Sequence, residues 1–384
     1  MNADKLELFD GCIEIEPDTS FETISIITPS CKGVILFTDT NDTAVQLLIA
    51  ANIRRTVRAK LFTEEPLQSK RRTDLTTIVR KIYFRKCWGE FETGLWHYRI
   101  AKQIYPQNYA EQIAFANAVY FKVDPSAKWP EFAITESPAS NGKSVIFGPF
   151  DSRKSYGIYS EAITEAFSLC RRSQCIDNPQ KAMSCPYLQM GLCDGVCVGE
   201  VSREEYLERI QKAVDAAGDP ALITEALKAK MLALSGQMKF EQAQSVKDKL
   251  EEFSKRQNSF YWIKELSKLA VLQIDMSDKI KIKGRKRKTQ MLAAFLITAS
   301  GISQLEKFDI DGIDKIVETI RSVINLPRQA RNTQDLREQL SLFSYYLYKS
   351  NHPGAWIGCD GQIDASRIEH KIRTKVLDGV ETDL

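Results

Sequence analysis

The chain has 384 residues, 53 lysines and arginines against 50 acidic residues, and a net charge of +3. Its 43% hydrophobic and 27% charged content is ordinary for two or three globular domains and too charged for a membrane protein. The near balance of charge neither demands nor excludes nucleic acid, so any such contact must be local.

No apolar run reaches the length of about 18 residues that a spanning helix needs, and MNADKLELFDGC has neither a basic nor an apolar signal region. A cytoplasmic location is therefore expected, with no membrane partner. Residues 1–30 read as a strand-rich lead-in. A β-hairpin is predicted next: GVILFTDT, a turn at Asn41-Asp42-Thr43, then AVQLLIA, which enters the basic helix NIRRTVRAKLF. Helical spacing of Leu95, Tyr98 and Lys102 predicts a helix over 92–105, stopped by Pro106. Extended segments follow at VYFKVDP and EFAITES. VIFGPFDSRKSYGIYSEAITEAFSLC reads as strand, turn and a helix whose apolar face carries Ile163, Ala166, Phe167 and Cys170.

Ser202, with Glu205 three residues on, opens a helix over 202–217. Residues 219–256 form a helical hairpin with Gly236 at its junction. One face carries Ile223, Leu227, Leu234 and Met238; the other carries Phe240, Ala243, Val246, Leu250 and Phe253. Such a hairpin has one narrow apolar seam and must dock, either on a partner or on its own chain. The tail has strands at LAVLQIDM and MLAAFLITAS around the basic run KIKIKGRKRK. Helices at 311–324 and 334–349 and the stretch GAWIGCDG follow, a small α+β domain over 257–384. The basic run, with Arg285, Lys286 and Arg287, is either a solvated turn or a phosphate-contacting loop.

Nine cysteines, five of them between 170 and 197, suggest metal or catalysis rather than a disulfide framework. Cys175, Cys185, Cys193 and Cys197 are separated by nine, seven and three residues. Four thiolates can enclose zinc or hold an iron–sulfur cluster, and spacing alone does not separate the two. Four reduced structural cysteines are the third reading. Cys170, on the apolar helical face, is assigned to the core.

From FGPF through FSLCRRSQC, SCPYLQMGLCDGVCVGE and SREEYLERI, the chain resembles the central region of the bacterial excinuclease subunit UvrC. Its Cys-Pro-x-Tyr pattern falls on Cys185, Pro186 and Tyr187, followed by Gly191, Cys193 and Cys197; a usual proline is Val196 here. The resemblance implies a [4Fe–4S] cluster on Cys175, Cys185, Cys193 and Cys197, with zinc as the alternative. MKFEQAQSVKDKLEEF is similar to the UVR motif, with Phe240, Glu241, Ala243, Lys247 and Asp248 in its positions. That implies a UvrB-like partner, contacted through Phe240, Ala243, Val246 and Leu250.

Residues 31–122 resemble a GIY-YIG nuclease domain in outline, without its catalytic groups. Ile35, Gln46, Leu48, Thr56 and His97 stand where the resemblance implies tyrosines, a glycine, an arginine and a metal-binding glutamate. Arg54, Arg55 and Arg58 remain as candidate DNA contacts. The expected architecture is a multidomain α+β chain. It comprises a degenerate GIY-YIG-like α/β domain (1–125), a cysteine cluster region (145–200), a helical region with the UVR hairpin (201–256, hairpin 219–256) and the small α+β tail. The implied function is DNA repair by partner and DNA binding, with no catalytic residue. The alternatives are a structure-selective endonuclease with a cryptic RNase H-like site at Asp275 and Asp360, or a redox-sensing adaptor.

Overall fold

The computed structural model describes residues 7–16, 18–62, 75–140, 142–176, 178–282, 284–324, 333–349, 354–359 and 364–377. Three four-stranded antiparallel sheets organise the chain. The first contains β1 (Gly11–Glu14), β2 (Gly33–Thr38), β3 (Ala44–Ala50) and β4 (Lys81–Lys86), in the order β1-β4-β2-β3. Between β1 and β2 the lead-in forms a short helix, α1 (Phe21–Ser25), rather than further strand, because Ser20 caps its first turn. The β2–β3 hairpin and the helix after it fall where the apolar alternation puts them. Asp39 Oδ1 accepts from the backbone N–H groups of Asn41 and Thr43, each at 2.8 Å, and so closes the turn. Asn52 caps α2 (Ile53–Leu61) through the N–H of Arg55.

Strand β2 is buried on both faces, so GVILFT reads as a continuous apolar run. Ile35 and Phe37 meet Ile53 and Val57 of α2. Val34 and Leu36 meet Ile100 and Ala101 of α3 (Glu90–Ile104). The other side of α3 carries Phe91, Leu95 and Tyr98 into a second core.

The middle sheet, in the order β6-β5-β7-β8, joins β5 (Val119–Val123), β6 (Ala133–Thr135), β7 (Val145–Phe150) and the late strand β8 (Lys264–Glu265). On it lies α4 (Arg153–Ala166). Loops then carry the short helices α5 (Pro179–Met183) and α6 (Pro186–Gln189), followed by α7 (Arg203–Ala216). The hairpin is α8 (Pro220–Gly236) and α9 (Phe240–Ser254), with the short α10 (Gln257–Phe260) behind it. One core runs through all of this: Phe121, Phe147, Tyr159, Ile210, Ile223 and Val246 belong to it.

The third sheet has the order β11-β10-β9-β12, from β9 (Ala270–Ile280), β10 (Thr289–Thr298), β11 (Gly301–Gln304) and β12 (Ala355–Gly358). Helices α11 (Ile313–Ile324) and α13 (Ala365–Ile372) cover the face of Leu272 and Ile274. Helices α3 and α12 (Gln334–Leu347) cover the face of Val271, Phe295 and Trp356. Thus α3 buries one side on the first sheet and the other on the third. Phe91 meets Phe295, Tyr346 and Trp356 edge-on at 5.3, 5.7 and 5.3 Å. At its far end Lys102 Nζ donates to Glu338 Oε2 at 2.8 Å and Asp335 Oδ1 at 3.1 Å.

Gly94 sits where α3 and α12 come closest; a Cβ built there would overlap the Tyr346 hydroxyl. Alanine is intrinsically the better helix former by about 1 kcal/mol, but overpacking a seated contact costs about 1–3 kcal/mol. Gly94→Ala is expected to lower the stability measured by denaturant unfolding. A stabilised variant would mean that the two helices are not held at this distance.

Candidate thiol centre and helical hairpin

Helix α4 ends at Ala166, four residues before Cys170, and Ser168 takes a left-handed φ of 51°. The predicted helical face therefore stops short, and the chain swings Cys170 out of register with Ile163. Three hydrogen bonds from two side chains hold the turn. Lys230 Nζ donates to the Glu165 carbonyl at 2.6 Å and to Ser168 Oγ at 3.0 Å; an Arg209 N–H donates to the Ser168 carbonyl at 3.4 Å. Cys175 ends a 3₁₀ turn, Ser173–Cys175, and is fully buried. Cys185 caps α6, which starts with Pro186. Cys193 and Cys197 belong to the loop before α7. Its 3₁₀ turn, Val196–Val198, is flanked by Gly195 at φ 70° and Gly199 at φ 83°, conformations that favour glycine.

Cys170, Cys185, Cys193 and Cys197 line one cavity, together with Arg171 and Arg209. Burial pushes the Cys170 thiol up to about 11, with the backbone N–H of Arg172 opposing and neighbouring Cys197, Cys193 and Cys185 adding to the shift. The Cys197 thiol is raised by burial, then by Cys193 and Cys185; the Cys175 thiol is raised by burial and by Cys185. Five thiols thus neighbour one another. Among the described residues, no group of three or more Cys, His, Asp or Glu side chains converges closely enough to hold a metal ion. Cys170 packs against the middle core, as assigned, and also faces the cavity, from whose lining Cys175 is absent. In kind and number the donors fit a thiophilic metal or an iron–sulfur cluster. Arg171, Arg172 and Arg209 supply positive charge at the wall.

Glu165 joins this centre to the hairpin. Its Oε2 accepts from Arg171 at 2.8 Å and from Lys249 of α9, and its Oε1 pairs with Lys230 of α8 at 2.8 Å. Burial alone would raise its carboxyl; the Lys230 and Lys249 hydrogen bonds and charges overcome that and hold it down at about 2. Arg171 also lies over the Tyr187 ring, 5.5 Å from its centroid. On the opposite wall Arg209 pairs with Asp194 at 2.6 Å and Glu205 at 2.8 Å, fixing the Cys193–Cys197 loop to α7. The sequence carried no local sign of Glu165, since Lys230 and Lys249 are 65 and 84 residues away.

The hairpin seam is turned inward. Val246 and Phe253 are buried in the middle core with Ile223 and Leu227, Leu250 packs against them, and Ala243 is buried. Of the four residues assigned to a partner, only Phe240 is exposed, at 65%; Met238 and Leu232 beside the turn are exposed at 79% and 66%. The seam docks on its own chain because Tyr159 and Ile163 of α4 offer it a larger apolar surface than the hairpin has alone.

The candidate DNA contacts are unequal. Arg54 Nε donates to the Thr28 carbonyl at 2.9 Å, and Arg58 stacks over Phe21. Arg285 pairs with Asp309 at 3.1 Å and Asp311 at 2.6 Å. Arg55, Lys286 and Arg287 are exposed. In the first sheet Ile35 is core, Gln46 has a buried amide oxygen without a hydrogen-bond partner, Leu48 is partly buried and Thr56 lies on α2. His97 is half-buried on α3, its pKa lowered by burial.

Asp275 is buried on β9, between Gly89 at the start of α3 and Gly354, where an added Cβ would strike its carboxylate on either side. Gln273 Nε2 donates to it at 2.7 Å. Burial pushes it up to about 7, with Gln273 and Lys32 opposing and Glu92 and Glu90 adding. Asp360 lies outside the described residues. Strand β12 runs antiparallel to β9, and the N–H of Cys359 bonds the Ala270 carbonyl, so the chain leaves the sheet at the end away from Asp275.

The family description "UvrC/Cho excinuclease, middle domain" matches residues 118–216, the segment that holds β5 to α7 and every thiol of the cavity. The chain is 30% identical to "UvrABC system protein C" of Methanosarcina barkeri over 135 residues, 34% of this chain and 25% of the relative. Identity is 27% over 239 residues to the protein of the same name from Caldicellulosiruptor saccharolyticus, 61% and 40% of the two chains. For Rickettsia prowazekii it is 24% over 246 residues, 63% and 38%. No solved structure matches. The chain is a UvrC-like family member, at low identity, and spans between a quarter and two-fifths of the length of these relatives. No described helix is long and apolar enough to cross a membrane.

Glu165→Gln leaves Arg171, Lys230 and Lys249 facing a neutral amide. It is expected to cost about 3 kcal/mol at neutral pH in chemical denaturation. Because the folded carboxyl is depressed, its contribution is complete above about pH 4.5 and disappears as pH falls through about 2. Asp275 has the opposite sign. Its raised value favours the protonated folded state, so stability declines between about pH 4 and 7. Asp275→Asn should flatten that decline, and an unchanged pH profile would show that the carboxyl is not buried as described.

Proposed function

We propose that this protein is a DNA-repair factor of the nucleotide-excision type. It holds a thiolate-bound [4Fe–4S] cluster or zinc, engages DNA and a UvrB-type partner, and does not cut the strand. The observation that carries the reading is the placement of Cys170, Cys185, Cys193 and Cys197 around one cavity inside the matched middle region, beside a hairpin whose turn keeps Phe240 exposed. Cys185, Cys193 and Cys197, with Cys170 or Cys175, would hold the group. Its role at such a position is to give the loops before α7 a core they otherwise lack.

Helices α8 and α9 read as a UVR hairpin that spends its seam on its own chain and offers its tip to the partner. Leu232, Met238 and Phe240 form that apolar tip. Exposed Arg55, Lys286 and Arg287 provide salt-sensitive contacts for phosphate. Residues 31–122 read as a GIY-YIG-like domain without its chemistry. Hydrolysis of a phosphodiester needs a metal held by carboxylate and a positioned activator, and Ile35, Gln46, Thr56 and His97 supply neither. The buried, sandwiched Asp275 speaks against a second nuclease centre.

Binding of full-length protein to a UvrB C-terminal hairpin tests the partner reading. Phe240→Ala is expected to weaken it at least tenfold with an unchanged melting temperature, since the ring is exposed. Val246→Ala is expected to lose roughly 2 kcal/mol of stability. Equal affinity for wild type and Phe240→Ala would remove the tip as the docking point. Incision assays on bubble and flap duplexes with Mg²⁺ and Mn²⁺ test the rest, and metal-dependent cutting would overturn the non-catalytic reading.

A further inference from the structure

Two open clefts meet across the start of α4. The first, of about 670 Å³, lies between α4, the beginning of β5 and the end of α12, and Arg153, Tyr345 and Lys349 line it. The second, of about 680 Å³, lies between α4 and the turn from α9 to α10, and Lys154, Lys255 and Arg256 line it. Only a thin wall separates them. Tyr348 belongs to the first cleft, and its hydroxyl lies 3.4 Å from the carbonyl of Ser259, which lines the second. Asp151 of the first cleft pairs with Arg256 of the second at 3.6 Å. Five cations thus face the clefts against three acids, Glu136, Asp151 and Glu252. Lys154 and Lys255 are exposed and have no acidic partner among the described residues. Arg153 pairs with Glu136 at 2.6 Å, but Glu136 is also held by Arg337 at 2.9 Å, and the Arg153 side chain stays largely exposed. Such an exposed pair is weak enough for a phosphate to share its cation.

We propose that the two clefts form one path for single-stranded DNA across the start of α4, a surface separate from Arg55, Lys286 and Arg287. The proposal rests on the DNA-binding reading above and names where an unpaired strand lies. Lys154 and Lys255 contact its phosphates on one side, and Arg153 and Lys349 on the other. Tyr345 selects the single strand. Its ring stands perpendicular to that of Tyr346 at 5.1 Å and is 37% exposed, a supported aromatic surface in the first cleft. A base stacks on such a ring only when it has left its own stack, whereas a duplex keeps its bases stacked and presents a convex backbone to a concave site. Positive charge along a groove with an aromatic ring between the cations is the pairing of features that holds an unpaired strand irrespective of sequence.

The experiment measures fluorescence anisotropy of a labelled oligothymidine of about 20 nucleotides, longer than one such groove covers, and of a duplex of equal length, with full-length protein over a range of salt. Wild type is expected to bind the single strand at least tenfold more tightly than the duplex. Lys154→Glu/Lys255→Glu is expected to weaken single-strand binding at least tenfold and to reduce the salt slope by about 1.4, two phosphate contacts at about 0.7 each. Lys212→Glu/Lys228→Glu carries the same charge change on exposed positions of α7 and α8 and is expected to bind like wild type. Tyr345→Ala is expected to lose at least fivefold with the salt slope unchanged, and Tyr345→Phe to keep the affinity, since the face is retained. Equal affinity in wild type and Lys154→Glu/Lys255→Glu overturns the path, and so does an equal loss in the two lysine pairs. A duplex bound as tightly as the single strand overturns the choice of ligand. Wild type that binds neither overturns the DNA-binding reading itself and this inference with it.

Discussion

The half-buried carboxylate of Glu165 decides how the middle of the molecule is arranged. Three cations from three different segments converge on it: Arg171 from the thiol loops, Lys230 from α8 and Lys249 from α9. A lone ionised glutamate at this position would be costly, and so would the cations without it. The group is stable only when α4, the cysteine loops and both arms of the hairpin are present together. That requirement fixes where α4 ends, and hence where Cys170 goes. It also holds the hairpin against α4, so that Val246 and Phe253 are buried internally and only the tip with Phe240 is left outside.

A second constraint acts on the flanking regions. Helix α3 has apolar residues on opposite sides and satisfies both, on the first sheet and on the third. The N-terminal sheet is thus not an independent unit tethered by a linker. The start of α3 lies against Asp275, and Gly89 and Gly354 leave room for that carboxylate only because neither has a side chain. A position that in sequence looks like a nuclease aspartate is here part of the packing between the first and third sheets. A buried acid raised by desolvation makes a poor ligand for a catalytic cation.

Much of the local structure was legible. The alternation in GVILFT and AVQLLIA, the cap at Ser202, the periodicity of Phe240, Val246 and Phe253, and Pro106 after Ile104 all act over a few residues, and each falls in or beside the element it signals. The tail's strands at 270–280 and 289–298 were legible for the same reason. The lead-in was misread because Ser20 capping competes with strand propensity over a segment too short for either pattern to dominate. The end of α4 was misread because an apolar face continued in sequence after the backbone had turned at Ser168.

The sequence by itself determined the elements, the thiol-rich loops and the likeness of the middle region to UvrC, since these follow from near-neighbour patterns and motif spacing. Only the tertiary structure decided which side of the hairpin is free, that Cys170 faces the cavity while Cys175 does not, and that Arg285 is held by Asp309 and Asp311. Those outcomes depend on partners tens of residues away and on competition among burials of similar size. A residue's own neighbours in the chain carry no record of that competition.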